Sequence, residues 1–201
     1  MITLCMDTST QYLVIALIRD DQIVAKFQEK CWKKQSEELF PRLMDLMKEA
    51  GLEPEDIGQV VVSEGPGSYT GVRIAMTVAK VFCAMRNLPI ATVGTLQLFA
   101  GMEPRARVVL DARGGRVYTA VYEYGVFSGT VEAKPCEEVK AEILEAETVI
   151  GDGSLVGRED QIPDLAENFL AVKDQWKYAE NVHLVKPEYL KSSESYLPHH
   201  Q

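Results

Sequence analysis

At 201 residues, 46% hydrophobic and 25% charged, the chain has ordinary globular composition and enough length for one large core or two small ones, which excludes a disordered chain. Its net charge of −9 and pI near 4.9 oppose unaided nucleic-acid binding, because neutralising phosphates needs a surplus of Lys and Arg on one face. The opening MITLCMDTSTQYLVIALIRDD lacks a basic start, is broken by Asp7 and falls short of the roughly 18 to 20 apolar residues of a membrane span, so it reads as neither signal peptide nor anchor.

Residues 2–6 and 12–18 read as strands joined through the turn-prone run Asp7-Thr8-Ser9-Thr10, and a third strand, Ile23 to Lys30, follows the turn at Asp20-Asp21. Ser36 to Ala50 reads as an amphipathic helix, with Ser36 as N-cap, acidic residues in the first turn and Gly51 as the stop. Its Leu39, Leu43, Leu46, Met47 and Ala50 recur at helical spacing, with Phe40 and Met44 beside them. Ile57 to Ser63 reads as a buried strand entering a Gly-rich loop, and a helix follows over Val72 to Met85. Asn87-Leu88-Pro89 ends that helix; IATVG reads as a strand and Thr95 to Ala100 as a helix. The Pro-bearing break Met102-Glu103-Pro104-Arg105 is the expected domain boundary, dividing residues 1–102 from 103–201.

Beyond the break, VVLDARGGRVYTAVYEYGVFSGTVEA repeats the order of TLCMDTSTQYLVIALIRDDQIVAKF: strand, Asp turn, strand, turn, strand. Aligning Asp7 with Asp111 also aligns Ala16 with Ala120 and Leu17 with Val121, as an internal duplication would. A strand-Asp-turn-hairpin unit occurring twice resembles the actin-like and sugar-kinase-like (ASKHA) superfamily. That resemblance implies an α/β fold of two ribonuclease-H-like halves whose Asp turns face a nucleotide. The remainder is thin: a helical stretch near Pro135 to Ala146, a strand TVIGDGS and a partly irregular end without an expected helix. The second half therefore reads as reduced.

The chemistry-bearing residues are sparse. Cys5, Cys31, Cys83 and Cys136 form no CxxC pair and read as buried, reduced thiols, as a cytoplasmic protein would carry. His183, His199 and His200 all fall in the last tenth of the chain, so no HxxxH or HExxH metal site is expected. Lys26, Lys30, Lys33 and Lys34 form the densest basic group and read as a solvated loop. The loop Gly65-Pro66-Gly67-Ser68-Tyr69-Thr70-Gly71 could aim N–H groups at an anion on a helix N-terminus, but it has no P-loop lysine and reads first as a tight turn starting a closely packed helix. Asp7 and Asp111 could hold Mg²⁺ with ATP, yet the first turn lacks the glycine that lets backbone approach phosphate, and both read as turn and cap groups.

The stretch SEGPGSYTGVRIAMTVAK, Arg73 included, closely resembles the signature of the TsaB family, also called YeaZ, an inactive paralogue of the threonylcarbamoyl-transferring TsaD. Asp7-Thr8-Ser9, Asp111-Ala112-Arg113, Val117-Tyr118, Gly151-Asp152-Gly153 and Pro187-Glu188-Tyr189-Leu190 fall where that family has them. Two positions depart from it: Gln35-Ser36 stands for His-Ser, and Lys191 for Arg. TsaD-type enzymes hold metal through a histidine pair on the helix that here reads GVRIAMTVAKVF, without histidine. The resemblance thus implies a non-catalytic chain with vestigial cleft turns at Asp7, Thr8, Ser9, Asp111 and Arg113. ATP and metal would belong to partner subunits: TsaD, which transfers threonylcarbamoyl to adenosine 37 of tRNAs reading ANN codons, and the ATPase TsaE. tRNA would be bound only within that complex. A small ATP-dependent kinase and a glycoprotease of the same superfamily are the enzymatic alternatives.

The second helix supplies a separate argument. At 100° per residue, Arg73, Thr77 and Lys80 form one narrow polar stripe and leave an apolar arc of about 220°, where a surface helix needs roughly 100°. Ala75, Val78, Ala79 and Phe82 are expected to face their own domain. Either Val72, Met76 and Cys83 or Ile74, Val81 and Met85 then remain to be buried, against each other within the monomer or against another chain. The first helix carries the same surplus, and the family resemblance implies the second outcome: Leu39, Leu43, Met44, Met47, Val72, Met76 and Cys83 are the expected interface, for TsaD or for a second copy when alone.

Overall fold

The computed structural model describes residues 1–190, the side chain of Ser128 left aside; Lys191, His199 and His200 lie outside the described residues. β1 (Ile2–Asp7), β2 (Tyr12–Arg19) and β3 (Gln22–Lys30) form an antiparallel meander. α1 (Gln35–Glu49) leads to β4 (Ile57–Ser63), which lies parallel to β1; α2 (Tyr69–Arg86) then leads to β5 (Ile90–Val93), parallel to β4. α3 (Thr95–Ala100) connects to a second meander of β6 (Ala106–Arg113), β7 (Arg116–Glu123) and β8 (Val126–Pro135). α4 (Cys136–Glu142) and β9 (Thr148–Gly151), parallel to β6, follow. The shared order is β3-β2-β1-β4 in one sheet and β8-β7-β6-β9 in the other, each with three antiparallel strands and a parallel fourth. Among the described residues the second sheet stops there, whereas the first continues to six strands. The expected α/β duplication with a reduced second half is the observed architecture.

Alternation along the strands builds the layers. Leu4, Met6, Leu13, Ile15, Val60 and Val62 face α1 and α2, while Cys5, Val14, Ala16 and Val61 face a central core shared with α3 and the second sheet. α4 covers the far face of the second sheet through Val139, packed with Val109, Val117 and Val149. The duplication carries one slip: Ala16 sits opposite Cys5, but Ala120 sits opposite Val108, three residues before Asp111. The register shift between Asp111 and Arg113 takes up the extra residue.

Several expectations need correction. α1 begins at Gln35 with Lys34 at the cap position, so Ser36 is not the N-cap. α2 begins three residues early because the Ser68 hydroxyl accepts the Gly71 N–H at 3.2 Å. α4 is shorter than 135–146, since Ile143 is already extended. The expected helix-free end contains α5 (Leu165–Ala171), capped by the Asp164 carboxylate accepting the Glu167 N–H at 3.0 Å and burying Leu165, Ala166 and Phe169. Seven residues are too few for a helical period to stand out.

The chain then returns to the first sheet as a strap. β10 (Lys177–Tyr178) pairs with β5. Lys80 Nζ donates to the carbonyls of His183 (3.1 Å) and Val185 (2.8 Å), and the Glu188 N–H reaches Glu64 O at 2.6 Å. Tyr189 stacks on Tyr69 with ring centroids 5.1 Å apart and accepts from Arg73 Nε at 2.7 Å. Residues 177–190 therefore belong spatially to the first sheet.

Candidate functional site

The loop Gly65 to Gly71 is built against the β1–β2 turn. Thr8 Oγ1 donates to Gly71 O at 2.6 Å and accepts the Ala75 N–H at 3.1 Å, inserting itself into the first turn of α2. The Ser68 N–H donates to Ser9 O at 2.7 Å. Any Cβ on Gly67 or Gly71 would overlap the backbone oxygen of Ser9 or Thr8. These glycines serve close backbone packing. Gln35, standing where the family has histidine, is buried and donates through Nε2 to Thr10 O (2.7 Å) and Tyr12 O (3.1 Å), closing the same turn.

The two Asp turns use one device. Asp7 Oδ1 accepts the Ser9 N–H at 3.0 Å and the Ser63 hydroxyl; Asp111 Oδ1 accepts the Arg113 N–H at 2.7 Å. Each carboxylate thus closes its own turn two residues on. The Asp111 N–H is taken in turn by Asp152 Oδ2 at 2.8 Å. Asp7, Thr8 and Ser9 are fully buried, whereas Asp111 and Arg113 are exposed.

Between the turns lies a cleft of about 770 Å³, bordered by Ser9 to Tyr12, Lys30, Trp32, Gly67 to Thr70, Asp111 to Arg113 and Asp152. The superfamily that the Asp turns resemble would hold a magnesium nucleotide here, and the two Asp turns themselves do not fit it. Phosphate needs backbone donors, but the Ser9, Tyr12, Ser68, Asp111 and Arg113 N–H groups already have partners within the protein. Asp7 is turned into the core, and Asp111 and Asp152 present carboxylates where phosphate charge would lie. Burial pushes the Asp152 carboxyl up against the hydrogen bond from the Asp111 N–H, with the charges of Asp160 and Asp111 adding to the rise and Lys30 opposing it. Among the described residues, no group of three His, Cys, Asp or Glu side chains is placed to hold a metal ion.

Burial also raises the Asp7 carboxyl above its ordinary 3.8, against the opposing bonds from Ser63 and Ser9, and its Oδ2 has no hydrogen-bond donor. A raised native value means that the folded state holds the proton more tightly. Wild-type stability therefore falls as pH rises from the ordinary carboxylate value toward the native one. Asp7→Asn keeps the Oδ1 acceptor and never ionises. It is expected to match the wild type near pH 3 and to exceed it at pH 7 by about 1–3 kcal/mol, measured by urea denaturation at both pH values.

The helical face differs from expectation. Leu39, Leu43, Met47, Val72, Met76 and Cys83 are buried in the chain's own core. Of the seven expected interface residues only Met44 stays out, at 56% exposed. The remaining apolar surface is Phe40 (55%) with Met44 on α1, and Val81 (54%) and Met85 (81%) on α2, beside half-buried Ile74 and Val78. The strap holds the Arg73 and Lys80 side of α2. The Arg42 guanidinium lies 5.1 Å from the centre of the Phe27 ring, so that side of α1 faces β3. The open apolar surface of the two helices therefore lies on the sides that neither the strap nor β3 covers.

Comparison with known proteins gives the family. The model of TsaD, tRNA N6-adenosine threonylcarbamoyltransferase, matches residues 23–146, more than half of the chain. The chain is 37% identical over 128 residues to the tRNA threonylcarbamoyladenosine biosynthesis protein TsaB of Bacillus subtilis, covering 62% of this chain and 56% of that protein. It is 33% identical over 135 residues to TsaB of Escherichia coli, covering 63% and 58%. The match thus spans less than two thirds of either relative. Among solved structures, YeaZ from Pseudomonas aeruginosa superposes with a TM-score of 0.76 at 25% identity, covering 94% of this chain and 99% of that one. A second structure from that organism, described as similar to peptidase YEAZ, has a TM-score of 0.81 at 24% identity over the same shares and speaks to the fold. No helix among the described residues is long and apolar enough to cross a membrane. With the signature loop, the paired Asp turns and the duplicated sheets, these matches identify the chain as a member of the TsaD-type family in its TsaB (YeaZ) branch.

Proposed function

We propose that this chain is a non-catalytic, cytoplasmic partner of a TsaD-type enzyme, needed for threonylcarbamoylation of adenosine 37 in tRNAs reading ANN codons and acting with a TsaE-type ATPase. The observation that carries the reading is the apolar surface of Phe40, Met44, Val81 and Met85, set on two helices whose other faces are fully used. Exposed methionines at such density suit a surface that must adapt to another helix pair. The names of the relatives support the pathway, and the buried, internally bonded Asp7 turn supports leaving ATP and metal to the partner subunits. Residues 1–102, with the strap, would be the docking half, and 103–176 the reduced half.

The test is capture of the host's TsaD homologue by tagged chain. Met44→Glu with Met85→Glu removes two anchors from water-accessible positions and is expected to weaken capture at least about thirty-fold, as loss of one interface hot spot does, with an unchanged circular dichroism spectrum. Without the partner the same surface would be covered by a second copy, so sedimentation should show a wild-type dimer and a monomeric double variant. Undiminished capture by the folded double variant would overturn the docking surface.

A further inference from the structure

The segment between β3 and α1 carries a group that docking does not use. Lys26 is ion-paired with Asp164 (2.6 Å) and Glu167 (2.7 Å). Lys30, Lys33 and Lys34 have no ion pair with any described carboxylate, and neither has Arg113. Lys33 holds φ at 63° in a turn closed by the Lys34 N–H on Cys31 O at 2.9 Å, which displays Trp32 at 48% exposure. From the opposite half, the Arg113 guanidinium carbon comes within 5.6 Å of the Trp32 ring centre. Lys30 also faces Asp152 and Asp160, and Glu37 and Glu38 follow in α1, Glu38 paired with Arg42 at 3.3 Å. Lys33, Lys34 and Arg113 are therefore the outward charges.

We propose that Trp32, Lys33, Lys34 and Arg113 form a contact for single-stranded RNA, specifically the unpaired loop of the tRNA handled by the complex; this rests on the partner reading above. An exposed ring beside guanidinium and ammonium groups stacks an unpaired base while its neighbours take the adjoining phosphates. The rest of a chain of net charge −9 repels phosphate, which confines the contact to this patch and keeps it weak without a partner. The patch adjoins the docking surface, since α1 starts directly after Lys34 and Met44 lies about 15 Å along it. One RNA can touch both subunits.

The probe is an anticodon stem-loop RNA. With the isolated chain, RNA should quench the Trp32 emission, read as the difference between wild type and Trp32→Phe, and polyglutamate should not. In the complex with the TsaD homologue, Trp32→Ala should weaken RNA binding about five-fold or more. Lys33→Gln with Lys34→Gln should make the log–log salt slope shallower by about 1.4. Both variants should still capture the partner normally. Unchanged RNA affinity and salt slope in a complex that forms would overturn the patch and leave the partner reading standing. If wild-type chain captures no partner, that reading fails, and quenching of the isolated chain decides the patch. Quenching by polyglutamate but not by RNA would overturn it in favour of an acidic protein segment.

Discussion

A Met76→Glu chain is expected to unfold, whereas Met44→Glu keeps its fold. Met76 is 3% exposed among Leu39, Met47, Val72 and Cys83 in the core between the two helices and the first sheet. Glutamate there loses the apolar contacts and must either ionise without a partner or take up a proton. The combined penalty of several kcal/mol is a large part of a stability of about 5–15 kcal/mol. Met44, at 56% exposed, remains in water and pays neither cost. Circular dichroism with urea titration separates the two. A cooperative wild-type transition for Met76→Glu would contradict the assignment of that flank to the core.

Gly71→Ala is expected to destabilise by about 2–3 kcal/mol, reversing the usual gain of up to about 1 kcal/mol for alanine in a helix. The new methyl would overlap the Thr8 carbonyl oxygen. Neither side can give way, because Thr8 Oγ1 is bonded to both Gly71 O and the Ala75 N–H, and Ser68 N–H holds Ser9 O. Thermal unfolding checks this, and a variant as stable as the wild type would show that the glycine is not there for packing.

The strands were legible because β-branched runs and Asp turns recur at matching spacing in both halves. The tight-turn reading of Gly65 to Gly71 also agrees with the packing, since the glycines meet backbone. The interface flank was misread for a physical reason. Periodicity measures the width of an apolar arc but not which part the sheet covers, and a polar stripe such as Arg73 and Lys80 need not face solvent. The strap takes up both, through Tyr189 and the carbonyls of His183 and Val185. This turns the open side toward Val81 and Met85. The residues Pro187 to Leu190 resemble the family pattern, but no local pattern could say that they dock on a loop more than a hundred residues earlier. The approach of Arg113 to Trp32 is equally non-local, because it follows from how the two halves pack. α5 was hidden by its brevity, and Gln35 by reading it only as a departure from histidine rather than as a donor to two turn carbonyls.

The measurement that bears most directly on the partner account is formation of threonylcarbamoyladenosine on tRNA by the purified TsaD and TsaE homologues, with this chain added as wild type, as Met44→Glu with Met85→Glu, or as Asp7→Asn with Asp111→Asn. The account predicts that modification depends on the chain, fails with the folded helix variant and persists with the paired Asp variant. Full modification with the helix variant, together with none from a folded Asp variant, would make the cleft the working site and contradict it.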